Sequence, residues 1–257
     1  MEINRVIKAV FSPTGGTQKV ADVIASVWNR EIINIDLTAG DTDFSQYSFG
    51  KDELLIAAVP SFGGRVPPTA LERITQIKGC GTPTVLVVTY GNREYEDTVI
   101  ELGDALAAEG CIAIGAVTAV AEHSIARNIA KGRPDEEDMA LLKEFAEKIK
   151  DKVLNTEEIR MISLPGSRPY KPLGNMNVKP YADKKCDRCG VCAKKCPVGA
   201  IPTDEPYKTD EDKCISCMRC IKVCHNNARK INPVVLAVLN GKLKKVCGVR
   251  KDADLMI

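Results

Sequence analysis

Eight of the eleven cysteines fall in two copies of one spacing, Cys186-x-x-Cys189-x-x-Cys192-x-x-x-Cys196 and Cys214-x-x-Cys217-x-x-Cys220-x-x-x-Cys224, with Pro197 after the first copy. Thiolates at i, i+3 and i+6 wind a short loop around one [4Fe-4S] cubane and reach three of its irons, and the fourth ligand comes from the distant copy. The spacing therefore predicts two clusters. Cys186, Cys189, Cys192 and Cys224 would hold one, and Cys214, Cys217, Cys220 and Cys196 the other. Disulfide staples would explain neither the duplication nor the Cys-Pro step, and a zinc ribbon wants two pairs with a longer spacer.

The remaining residues decide what those electrons serve. A chain of 257 residues has room for two domains, and only Cys80 and Cys111 lie before position 180. Residues 1–4 lead directly into an apolar strand, with no basic-then-apolar leader, and no apolar run approaches the roughly 18 residues of a membrane helix. A soluble cytoplasmic protein without a membrane partner is expected. Disulfides are rare in that compartment, which agrees with cysteines used as ligands.

Charge is divided unequally. Residues 1–163 carry 17 Lys+Arg against 25 Asp+Glu, a net of −8, and residues 164–257 carry 19 against 9, a net of +10. Each oxidised cluster with its four thiolates contributes about −2, leaving the second part near +6 by formal counting. Opposite signs favour docking of the two parts on each other, or of the basic part on an acidic partner. No nucleic-acid-binding motif accompanies the basic part, so no nucleic-acid partner is expected.

The first 160 residues alternate strand and helix. Apolar runs at 3–10, 32–37, 54–59, 84–89 and 112–120 read as strands. Helices are predicted at 16–28, from Pro67 and Pro68 to residue 77, and at 95–109, where Gly110 stops the last. After Pro134, four acids precede Lys143, Lys148 and Lys150, the order a helix dipole favours. Five strands with interposed helices imply a doubly wound parallel α/β sheet, and its ligand would lie beyond the carboxyl ends of the strands.

Three loops reach that edge. Phe11-Ser12-Pro13-Thr14-Gly15-Gly16-Thr17 offers hydroxyls and amides at a helix start, a phosphate site that needs no lysine. It is neither a P-loop nor Gly-x-Gly-x-x-Gly. Pro60-Ser61-Phe62-Gly63-Gly64-Arg65-Val66-Pro67 and Tyr90-Gly91-Asn92-Arg93-Glu94-Tyr95-Glu96-Asp97 pair aromatic residues with glycines, which suits loops that approach a flat ring closely.

On these motifs, residues 1 to about 160 resemble a flavodoxin, and the cysteine region resembles a two-cluster bacterial ferredoxin. Together they are similar to the flavodoxin-ferredoxin fusion proteins of anaerobic bacteria. The resemblance implies a flavodoxin-like five-stranded parallel sheet (1–163), a Pro-rich linker (164–180), a small α+β 2[4Fe-4S] ferredoxin domain (181–232) and a C-terminal helix with a basic tail (233–257). It also implies FMN in the first domain, held by Ser12, Thr14, Gly15, Gly16 and Thr17, by Pro60, Ser61, Phe62, Gly63 and Gly64, and by Tyr90, Gly91, Asn92, Arg93, Tyr95 and Asp97. Asn, Arg and Glu at 92–94 replace the acidic, aromatic-rich loop of typical flavodoxins, implying a more open and less negative flavin edge.

His123 follows the fifth strand on the same edge, and with Arg93 it is the candidate catalytic group, a proton donor to the flavin or a reduced substrate. Gly63, Gly64 and Arg65 would help shape a pocket. His225 stands where the first copy has Pro197, next to a ligand. Pro165, Pro169, Pro172 and Pro180 suit a stiff connector, and Asn232-Pro233 caps a short apolar helix through Leu239, expected to pack on the ferredoxin part. Cys80, Cys111 and Cys247 fit no ligand pattern.

The expected function is a relay between the two [4Fe-4S] clusters and FMN, joining one- and two-electron transfer to an external electron donor or acceptor protein, or to a small-molecule oxidant through a reductase activity. A protein-to-protein carrier without its own substrate and a flavin-free iron-sulfur scaffold remain open. No second nucleotide-binding domain is visible for direct NAD(P)H oxidation, and nothing in the sequence sets an oligomeric state.

Overall fold

The computed structural model describes residues 2–174 and 178–257; residues 175–177 of the expected linker lie outside the described residues. Strands β1 (Arg5–Val10), β2 (Glu31–Asp36), β3 (Glu53–Pro60), β4 (Thr82–Tyr90) and β5 (Cys111–Val120) alternate with helices α1 (Gly16–Ser26), α2 (Pro68–Ile74), α3 (Thr98–Ala108) and α4 (Glu136–Leu154). The five strands are parallel in the order β2-β1-β3-β4-β5, the flavodoxin-like order, whose switch point lies between β1 and β3.

Successive residues explain why these runs become central strands. Val6, Leu54, Ile56 and Val85 enter one core with α1 and α4, while Ile7, Leu55, Ala57 and Leu86 enter the other with α2 and α3. Both faces are covered, so unbroken apolar runs are stable here and an alternating pattern would not be. Asp135 caps α4 with a capping box completed by Asp138, so the acids after Pro134 satisfy amides as well as the helix dipole.

The sheet has a sixth strand beyond the five apolar runs expected from the sequence. Residues Asp254–Met256 (β6) pair antiparallel with β5 in the register Asp254↔Thr118, Leu255↔Val117 and Met256↔Ala116. The tail after Lys242 therefore returns to the first domain. A three-residue strand is too short to show a period, and the lysines before it read as a solvated tail.

Helices α5 (Val191–Lys194) and α6 (Arg219–Lys222), each with one cysteine, pack on each other near a short antiparallel pair, Tyr181–Ala182 with Arg229–Lys230. The last helix, α7 (Pro233–Val246), starts at Asn232, whose side chain accepts from Val234 N, and runs a full two turns beyond Leu239. It packs on both halves: Leu239 joins Met218, Ile221 and Ile125 in one cluster, and Leu239 and Leu243 join Ala126 and Ile129 in another.

The connector is docked along its first part rather than free. Gly103 lets Leu164 lie against α3, where a Cβ would stand 2.2 Å from Leu164 Cδ1. Arg168 pairs with Asp104, and Lys171 with Glu96. Arg250 pairs with Asp135, and Lys251 with Glu94. In all four pairs the C-terminal part supplies the cation, the complementarity that the charge division implies. Among the described residues, no helix is long and apolar enough to cross a membrane.

Candidate cofactor sites

The three expected loops converge at the carboxyl edge of β1, β3 and β4. They line a cavity of about 180 Å³ with Thr14, Gly16 and Thr17, with Pro60, Ser61, Phe62 and Gly63, and with Tyr90, Gly91 and Arg93. The α1 N-terminus opens beside it. Gly15 is the N-cap with φ 96° and supplies no side-chain cap, so helix-start amides face the space where an anion would sit. Ser12 Oγ accepts from Gln18 N at 3.0 Å, its amide donates to Thr38 Oγ1 at 2.8 Å, and Thr17 and Thr89 share a hydroxyl bond of 2.7 Å. These bonds fix the loop's path.

Phe62 is presented by a tight turn. Phe62 and Arg65 form an isolated antiparallel bridge across Gly63 (φ 63°) and Gly64 (φ 85°), two positive dihedrals in succession that only glycine adopts freely. Arg65 does not face the cavity. Its Nε and Nη2 bind Glu101 at 2.8 and 2.6 Å, Glu101 also accepts from Val66 N at 2.8 Å, and the guanidinium stacks on Tyr170 at 4.9 Å. Arg65 is thus a brace between turn, α3 and connector, because a buried carboxylate demands its counter-charge. Gly64 shapes the turn and accepts from Asp97 N at 3.0 Å, but it does not line the cavity.

The loop after β4 departs furthest from expectation. Asn92, with φ 65°, turns its amide to the C-terminal segment and donates to Cys247 O at 2.9 Å and Val249 O at 2.8 Å. Asp97 accepts from Ser167 N at 2.8 Å and Lys171 N at 2.7 Å, so it anchors the connector, and these amides lower its pKa. Tyr95 packs edge-on against Tyr90, centroids 5.5 Å apart, and joins the α3-side core. Asn92, Tyr95 and Asp97 are therefore supports for the loop, while Tyr90, Gly91 and Arg93 face the cavity. Burial pushes the Tyr90 hydroxyl up to about 12, so it stays protonated at neutral pH. The edge expected to be open is partly walled by Leu239 and Leu243 of α7.

His123 lines this cavity, its ring held against Gly91, where a Cβ would stand 2.5 Å from Cδ2. Its Nδ1 accepts from Ile125 N at 3.2 Å and Ala126 N at 3.1 Å, which places the proton of the neutral ring on Nε2. Burial lowers its pKa, so the ring is neutral at physiological pH and can donate a hydrogen bond from Nε2. Arg93 is engaged: Nη1 and Nη2 bind Glu96 at 3.1 and 2.8 Å.

Both cysteine copies use the same local device. Cys196 Sγ accepts from Ala200 N at 3.3 Å and Cys224 Sγ from Ala228 N at 3.2 Å. Cys196, Cys214, Cys217 and Cys220 line one small internal space, the crossed set that the spacing predicts for one cluster. Burial pushes the Cys217 and Cys220 thiols up to about 12; coordination would be needed to ionise them, as it does for any ligating thiol. In the other set, Cys189 is exposed. His225 lies with Nδ1 3.9 Å from Cys189 Sγ and Nε2 3.1 Å from Asp187 Oδ2, so the residue that breaks the repeat's symmetry meets a sulfur of the first copy. All eleven cysteines are unpaired.

Sequence reasoning missed the cavity's other wall. Ile125, Val178, Leu239 and Leu243 line it, as does Cys217. The i, i+4 spacing of Leu239 and Leu243 was the available signal, hidden by ending the helix at Leu239.

Comparison with known proteins bears on the two halves separately. Residues 185–228 match the family described as "4Fe-4S dicluster domain". Among curated proteins, the chain is 38% identical over 63 residues to the DNA-directed RNA polymerase subunit Rpo3 of Methanosarcina mazei, covering 23% of this chain and 24% of that one, and likewise to its Methanosarcina acetivorans counterpart. The chain thus spans about a quarter of the length of these curated relatives. Solved structures that align with it include oxidised flavodoxin 1 from Bacillus cereus (18% identity, TM-score 0.42, 58% of this chain and 98% of that one) and a flavodoxin from the domain Archaea (13%, 0.38, 59% and 99%). The fold assignment comes from the strand order and the second-domain assignment from the family match. The chain therefore joins a sheet in the flavodoxin-like strand order to a segment, residues 185–228, that matches the 4Fe-4S dicluster family, a pairing suited to electron transfer.

Proposed function

We propose that the protein relays electrons between two [4Fe-4S] clusters and one FMN, and that it exchanges them with an external redox protein. One observation carries the reading: Cys217, a cysteine of the second expected set, lines the same cavity as Thr14, Phe62 and Tyr90. When bound, FMN would accept one or two electrons and each cluster one, so the assembly would interconvert the two modes.

The chain's own residues supply the rest. Thr14 to Thr17 and the α1 amides would hold the phosphate end, and Phe62 and Tyr90 would contact the flat ring. Cys196, Cys214, Cys217 and Cys220 would hold the cluster nearer the flavin, and Cys186, Cys189, Cys192 and Cys224 would hold the other. Exposed Cys189 makes that other set the natural contact for an external protein. His123 Nε2–H is positioned to hydrogen-bond a reduced flavin or a small acceptor, the feature that favours a reductase activity as the second reading. We place this chemistry in the cytoplasm, where thiols stay reduced.

Anaerobic purification followed by iron, sulfide and flavin assays tests the reading. About eight irons and one FMN per chain are expected, from two four-iron clusters and one flavin site. Eight irons with no flavin bound, even after incubation with FMN, would defeat it.

A further inference from the structure

The loop from Thr14 to Thr17 faces a second space besides the ring cavity. A cavity of about 290 Å³ lies between Thr14, Gly16 and Lys19 on the first domain and Met218, Ile221 and Lys222 on the second cysteine copy. Its other cations, Arg127 and Arg133, are already paired with Glu122 and Asp138. Lys222 is exposed. Beside it, Arg219 places Nη1 3.4 Å from the carbonyl oxygens of both Ser12 and Pro13, and its Nε is buried without a hydrogen-bond partner among the described residues.

These facts have one electrostatic reading. A phosphate monoester is nearly dianionic at neutral pH, while a helix start and its amides offer about half an elementary charge. The loop itself contains no cation. Met218 and Ile221 pack with Ile125 of the first domain, which holds α6 over the loop and brings two positive side chains to it. Arg219 itself lines the cysteine space rather than this cavity, and from the carbonyl side of the loop its charge acts on an anion at the amide side through the loop, without touching it.

Resting on the flavin reading above, we propose that Arg219 and Lys222 complete the phosphate end of the flavin site, so that the phosphate is held across both halves of the chain. The flavin would then be clamped to the loop that carries Cys217 and Cys220. The second cysteine copy has two tasks: it ligates a cluster and it neutralises the phosphate of the flavin beside it. Riboflavin, which has the same ring and no phosphate, would not gain from either cation.

The test compares FMN with riboflavin on the cluster-loaded, full-length protein, with binding followed by quenching of flavin fluorescence. Lys222→Met is expected to weaken FMN binding roughly tenfold, the loss of one charge-assisted contact, and Arg219→Met by a smaller factor, the loss of a charge acting across the loop, and both are expected to leave riboflavin binding unchanged. Arg219→Lys should recover most of the loss. Iron content and the visible cluster spectrum show whether Arg219→Met disturbs the neighbouring ligands, and exposed Lys222 gives a variant free of that risk. Unchanged FMN affinity in Lys222→Met and Arg219→Met, or equal losses for FMN and riboflavin, would overturn the proposal. Wild-type protein that binds neither flavin would instead defeat the flavin reading on which it rests.

Discussion

Glu101→Gln isolates the brace that positions Phe62. The Glu101 side chain is 4% exposed and Arg65 13%, and the carboxylate receives Arg65 Nε, Arg65 Nη2 and Val66 N at 2.8, 2.6 and 2.8 Å. Glutamine keeps the volume but has one acceptor oxygen and turns an NH2 toward donors. Breaking a buried pair from one side costs about 3–5 kcal/mol. Arg65 keeps the Lys171 carbonyl and the Tyr170 face, so about 3 kcal/mol is expected. For a chain of this size that lowers the apparent melting temperature by about 6–12 °C. Calorimetry of the cofactor-loaded protein measures it, and flavin affinity should fall with it because the turn from Phe62 to Arg65 loses its anchor. The paired change Arg65→Met with Glu101→Leu removes both charges and should be less damaging than Glu101→Gln alone. A shift below about 2 °C for Glu101→Gln, under the loss of a single ordinary hydrogen bond, would refute this account of the brace.

Other outcomes follow from the same contacts. Asn92→Ala should leave two carbonyls of the C-terminal segment unpaired and release β6, read as faster amide exchange at residues 254–256, whereas Asn92→Gly would keep the positive φ and still lose the segment. Asp97, whose pKa is lowered by the Lys171 and Ser167 amides, contributes stability that is complete above its unfolded pKa and lost as pH falls through its lower folded value. Asp97→Asn should abolish that acid dependence and expose the connector to chymotrypsin at Tyr170. His123 has a pKa lowered by burial, so the unfolded chain binds its proton first. Stability should rise with pH from the folded pKa up to about 6.5, the unperturbed value, and level off above it; denaturation curves of His123→Gln should lack this segment. Leu243→Asp should open the α7 side of the ring cavity and speed the reaction of bound, reduced flavin with oxygen, measured by absorbance.

What could be read from the sequence divides by physical scale. Strands buried on both faces announce themselves as continuous apolar runs, so β1 to β5 and their order-setting helices were legible, as were the eight cysteines, whose ligand geometry fixes their spacing. The loops' locations were legible too, because glycine, proline and aromatic residues cluster where chain must bend around a ligand. The direction each side chain takes was not. Asn92, Asp97 and Arg65 stand in the right loops, but their partners come from residues 247, 167 and 101, and long-range pairing leaves no local pattern. The return of the tail as β6 is the same case on a larger scale. The approach of Arg219 to Ser12 depends on docking of the two halves, which charge division favoured without specifying a register.

In the proposed relay, electrons pass between the cysteine-held clusters and the flavin within one chain. Its most direct test is stopped-flow reduction of the loaded protein by a one-electron donor, following cluster and flavin absorbance together. The cluster signal should change first and the flavin should follow at a rate unaffected by diluting the protein, as an intramolecular step requires. A flavin rate that falls in proportion to dilution, or a flavin that stays oxidised beside reduced clusters, would contradict it.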